Sequence, residues 1–114
     1  MKTTTITVVL AALLASGLAG AQAPVGDANR GGQRVQMCQG CHGIDGWRTA
    51  FPEVYHVPKI AGQHAPYLTQ ALQAYRSGAR NHPSMRAIAS SLSDQEIADL
   101  VAYYAQPATP AGKK

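Results

Sequence analysis

The chain has 114 residues, with 10 Lys+Arg against 6 Asp+Glu and a formal net charge of +4. That allows one modest, mildly basic domain and excludes a multi-domain enzyme. Residues 1–21 carry one charge, at Lys2, then an apolar run from Ile6 to Ala15, then small residues ending Ala19-Gly20-Ala21. This reads as a secretory leader cut after Ala21 or after Ala23. The run is shorter than the roughly 20 residues of a membrane span, and no cysteine follows it to take a lipid. An exported, periplasmic protein without a membrane span is expected.

Beyond Ala21 only 14 of 93 residues are Val, Leu, Ile or Phe, below the roughly 20% that marks weak core-forming capacity. The net charge of that segment, +3, is too low for composition-driven disorder. A small fold whose core is completed by disulfides, a metal or a cofactor is the alternative.

The first helix is predicted from about Asp27 to the end of Met37-Cys38-Gln39-Gly40-Cys41-His42. Gly31 and Gly32 weaken it, which makes sense where another helix crosses closely. Cys38 and Cys41 are the only cysteines. A disulfide closing so short a loop removes little chain entropy. A thioredoxin-like pair needs a preceding strand that is not evident, and a zinc site lacks a suitably spaced histidine pair. The remaining reading is C-x-x-C-H, the attachment signature of a c-type haem. On a helix, Cys38, Cys41 and His42 leave one face, so two thiols can reach the haem vinyl groups while the imidazole points at iron.

Residues 47–57 show no periodicity. The second helix is predicted over about 66–77, with proline in its first turn, Leu68, Leu72 and Tyr75 on one face, and Gly78 as its stop. A short helix is expected near 84–90. The last helix opens on the capping box Ser93-Asp94-Gln95-Glu96 and carries Ile97, Leu100, Val101 and Tyr104 at helical spacing. Residues 107–114 are expected to be a disordered tail. Ile60, Ile88 and the two apolar stripes would wall a porphyrin, and Trp47, Arg48, Gln63 and Arg80 are candidates to bind its propionates.

Together, Cys38-Gln39-Gly40-Cys41-His42-Gly43, Pro58-Lys59-Ile60-Ala61-Gly62-Gln63, Tyr75-Arg76-Ser77-Gly78-Ala79-Arg80, Met85 and Leu92-Ser93-Asp94-Gln95-Glu96-Ile97 resemble the class I cytochromes c. The likeness is to the short bacterial monohaem kind related to one half of the dihaem proteins. It implies an all-α fold over residues 22–106, three to five helices wrapped around one covalent haem, with the first and last helices crossing. It also implies that His42 and Met85 ligate iron and that the Pro58 carbonyl accepts from His42.

Among other sixth-ligand candidates, Met37 shares the attachment helix and cannot reach the other haem face. His82 is the runner-up, and His56 and His64 flank the Pro58 loop. A His/Met pair raises the reduction potential and leaves no open position for substrate. A soluble one-electron carrier, rather than an enzyme, is therefore expected. Its partners would be redox proteins, in part membrane-associated complexes, with no nucleic acid, and its own state monomeric or weakly dimeric. The alternatives are a haem-based ligand sensor or peroxidase-like protein, and an electron-entry subunit of a larger oxidoreductase.

Overall fold

The computed structural model describes residue 20 and residues 22–50 and 54–107. The expected leader and tail lie outside these, apart from Gly20, Pro107 and the residues next to the alternative cleavage site. Five helices are present among the described residues: α1 (Ala28–Arg34), α2 (Gln36–His42), α3 (Ala65–Ser77), α4 (Pro83–Ser90) and α5 (Asp94–Tyr104).

Four of the five helices start with a capping side chain or with a proline in the first turn, whereas α2 follows Val35 directly and has no side-chain cap. Asp27 caps α1 by accepting from Asn29 N and Arg30 N. In α5 the capping box is complete: Ser93 Oγ accepts from Glu96 N at 3.2 Å and Glu96 accepts from Ser93 N at 2.8 Å. Prolines stand in the first turns of α3 and α4, where a missing N–H costs nothing. Gly78 ends α3 with φ of 85°, a left-handed turn that glycine adopts without strain.

The single helix expected over 28–42 is two. Val35 interrupts it, its carbonyl accepting from both Cys38 N and Gln39 N at 2.8 Å. The break lets Val35 point into the core, where it is buried, while α2 turns the cysteine motif along its own axis.

Helix α1 crosses α5 at the glycines. A Cβ on Gly31 would collide with the Asp99 carbonyl, and one on Gly32 would sit 3.2 Å from the Tyr103 ring. The crossing is locked by Asp99, a buried carboxylate in the middle of α5. Arg30 grips it with two bonds, Nε to Oδ2 at 2.8 Å and Nη2 to Oδ1 at 2.9 Å, and Asp27 N and Gln95 also donate to it. The Arg30 fork holds the Asp99 carboxyl far below the usual carboxylate range, and the same pairing raises the Arg30 pKa. Arg34 adds an ion pair to Glu96 at 2.5 Å across the same two helices.

Helix α3 packs on both α4 and α5. Leu68, Leu92, Ile97, Leu100 and Val101 join Val35 and Tyr104 in one buried cluster. The segment without periodicity contains a two-residue antiparallel pair, β1 (Arg48–Thr49) against β2 (Tyr55–His56), with Arg48 opposite His56 and Thr49 opposite Tyr55. So short a pairing leaves the fold all-α.

Candidate functional site

The helices enclose a cavity of about 570 Å³, within the range of cofactor pockets, roughly 300–1,000 Å³. Helix α2 brings Met37, Cys38, Cys41 and His42 to its wall. Helices α3, α4 and α5 supply apolar side chains, among them Leu68, Leu72, Ile88, Leu100 and Val101.

Cys38 is half-buried and packs against the core cluster, whereas Cys41 is exposed. Both are free thiols. Burial pushes the Cys38 thiol above its ordinary pKa, with the neighbouring Tyr104 hydroxyl opposing the shift.

His42 closes α2, and its Nδ1 lies 2.6 Å from the Pro58 carbonyl oxygen. A carbonyl only accepts, so Nδ1 carries the proton and donates, and the Nε2 lone pair is left for a metal. Proline suits the accepting position because it has no N–H of its own and a fixed φ. Ile60, two residues further, lines the cavity and packs on the core cluster.

Met85 sits in the first turn of α4 and lines the cavity. Its N–H donates to His82 Nδ1 at 3.4 Å, so His82 serves as the N-cap of the methionine's helix. His82 also lines the cavity and meets the Tyr55 ring at a centroid distance of 5.0 Å.

Of the four candidates for propionate binding, only Arg80 lines the cavity. Its backbone N–H donates to Ala74 O at 3.0 Å behind the Gly78 turn, and its guanidinium lies 4.6 Å from the Tyr75 ring centroid. Trp47 and Arg48 stand in the exposed β1 region. Gln63 Oε1 accepts from His64 N at 2.9 Å, at the start of α3. His56 lines the cavity from β2, whereas His64 is the N-cap residue of α3.

Four residues contribute what helical periodicity alone does not show. Tyr55 and His56 reach the cavity through strand pairing, which no local pattern signals. Asp99 holds the crossing that supports α5; a lone Asp between Ile97 and Leu100 on an apolar helix was its only trace. Tyr104 belongs to the apolar stripe of α5, yet its hydroxyl is buried without a hydrogen-bond partner among the described residues.

The donor set and the space agree. Two thiols and an imidazole at i, i+3 and i+4, a thioether on another helix and an apolar cavity between them suit a flat iron macrocycle held covalently. This is the architecture of a c-type haem protein.

Comparison with known proteins gives the family. The Cytochrome c family model matches residues 28–106. The chain is 43% identical to cytochrome c-554(548) of Halomonas halodenitrificans over 82 residues, 69% of this chain and 94% of that protein. It is 38% identical to cytochrome c4 of Pseudomonas aeruginosa over 93 residues, 82% of this chain but 44% of that protein. Among solved structures, reduced recombinant cytochrome c4 from Pseudomonas stutzeri superimposes with a TM-score of 0.55 at 27% identity, covering 74% of this chain and 51% of that one. The chain thus spans about half the length of the cytochrome c4 relatives. It belongs to the cytochrome c family, and with that family it carries covalently attached haem c and transfers electrons through it.

Proposed function

We propose that this chain is an exported one-electron carrier with one haem, held by thioethers to Cys38 and Cys41 and ligated by His42 and Met85. Bound haem supplies the Fe(III)/Fe(II) couple. The observation that carries the assignment is the bond from His42 Nδ1 to the Pro58 carbonyl, 2.6 Å, which fixes the tautomer and would leave Nε2 to hold the iron.

The thioether of Met85 is neutral and soft, so it favours Fe(II) over Fe(III) relative to an imidazole and raises the potential. Ile60 and the leucines of α3 and α5 keep water from the cavity, which limits the solvent rearrangement that accompanies a change of charge. Arg80, already braced on Tyr75, faces the cavity with a fork matched to a propionate. With His42 and Met85 both holding the iron, the bound haem would have no position open to substrate, which favours a carrier over an enzyme.

A leader cut after Ala21 or Ala23 supports a periplasmic location for the carrier. Its donor and acceptor are redox proteins, membrane-associated complexes among them, met through small and short-lived interfaces. The carrier itself is a monomer or a weak dimer. No helix among the described residues is long and apolar enough to cross a membrane.

A redox-titrated visible spectrum of the exported protein tests the reading. A haem that resists acid extraction and a reduced spectrum unchanged by carbon monoxide are expected. Rapid carbon monoxide binding would expose an open axial position and turn the assignment toward a ligand sensor or peroxidase.

A further inference from the structure

Tyr104 is 8% exposed, lines the cavity, and has the one buried side-chain N or O atom without a hydrogen-bond partner among the described residues. Its ring is held from behind by Tyr103, edge to face at 5.1 Å, and its carbonyl accepts from Gly62 N at 2.8 Å. The residue is therefore fixed at both ends while its hydroxyl is not. Leaving a buried hydroxyl unpaired costs about 1–3 kcal/mol, and a phenylalanine would fill the same space without that cost.

The polar group beside the hydroxyl is Cys38. Cys38 packs against the buried cluster to which Tyr104 belongs and lines the same cavity, and burial beside each other shifts both groups, the hydroxyl lowering the thiol pKa and the thiol raising that of the hydroxyl. As a thiol, Cys38 can donate or accept. Once its sulfur is a thioether it has no proton and can only accept, which leaves Tyr104 as the only possible donor of the pair.

We infer that Tyr104 donates its hydroxyl proton to the Cys38 sulfur in the haem-loaded protein, and is thereby a positioning and tuning residue for the covalent link. The inference rests on the proposed attachment through Cys38. It assigns the buried hydroxyl a partner that exists only after loading, and so explains why a polar atom stands in an apolar wall. The positive end of the O–H dipole would then point at the sulfur that links the haem, adding positive potential there and drawing electron density from it. Both effects favour the less positive, reduced iron. Hydrogen bonding around a haem is one of the levers that set its potential.

The test compares wild-type and Tyr104→Phe holoproteins. Haem staining after denaturation, with the pyridine haemochrome spectrum, first reports whether both thioethers are present; a single one would sink the attachment reading itself. With both in place, Tyr104→Phe should lower the equilibrium constant for reduction about two- to tenfold, or about 18–59 mV at 59 mV per decade for one electron. It should also lower the denaturation midpoint. In the reduced wild-type protein the Tyr104 hydroxyl proton should exchange slowly in NMR spectra and show cross-relaxation to the Cys38 β-protons. An unchanged potential with a raised midpoint would mean that the hydroxyl has no partner, and would overturn the inference. A fast-exchanging hydroxyl proton would do the same even if the variant failed to fold.

Discussion

Met85 and His82 divide two tasks within four residues. The imidazole of His82 accepts from Met85 N at 3.4 Å and caps α4, so one residue orders the helix start while the other presents its thioether to the cavity. A capping side chain contributes about 0.5–2 kcal/mol, and it acts where the proposed ligand is mounted. Met85→Ala leaves the cap intact and removes only the thioether. The reduction potential should fall by on the order of 100 mV, since axial ligation spans about 0.8 V across haem proteins, and the weak far-red sulfur-to-iron band should vanish. A redox titration with absorbance checks both. Retention of that band would transfer ligation to another residue.

Where an element is set by its own residues, the sequence already displayed it. The Ser93/Glu96 box opens α5 and Gly78 closes α3, because caps act over three or four residues. The helix break at Val35, the β1–β2 pair and the Asp99 clamp were hidden, since each answers to a partner distant in the chain. The two helix-weakening glycines lay between these cases: the pattern indicated a close crossing but not the Asp99 carbonyl that Gly31 meets. Gly31→Ala sets two effects against each other. Alanine is the better helix former by roughly 0.5–1 kcal/mol, while its methyl collides with backbone that cannot rotate away, and overpacking costs about 1–3 kcal/mol. A net loss of stability is expected, read as a lower urea midpoint; a gain would show that α1 and α5 slide apart at little cost. The same crossing gives a pH dependence. Asp99 has a lower pKa folded than unfolded, where it titrates near about 3.9. The unfolded chain therefore binds more protons, and stability rises with pH. This contribution is complete above the unfolded value and disappears as pH falls through the folded one. Asp99→Asn should be less stable than wild type at neutral pH, with a gap that narrows below about pH 4. Urea midpoints measured across that range check it, and a gap that widened in acid would contradict the clamp.

At the scale of the molecule, the cofactor and the core occupy one space. Leu68, Leu100, Val101 and Tyr104 are at once members of the buried cluster and walls of the 570 Å³ cavity, so removing the occupant strips packing from the core itself. An apolar void of that size is filled neither by well-bonded water nor by side chains already in contact elsewhere. The loss is uneven. Helices α3 and α4 lean on each other and on the cavity, whereas α1 is tied to α5 by Gly31, the Asp99–Arg30 pair and Arg34–Glu96, none of which lines it. A Cys38→Ala/Cys41→Ala chain prepared without haem should accordingly lose most of its cooperative unfolding and much of its far-ultraviolet helical signal. What helix survives should be concentrated in α1 and α5. Amide exchange distinguishes the outcomes: protection confined to the crossing is expected, with α3 and α4 exchanging near the rate of an unfolded chain. Uniform, native-like protection across all five helices would mean that about fourteen large apolar side chains suffice to fold this domain, and that the cofactor merely occupies a finished cavity.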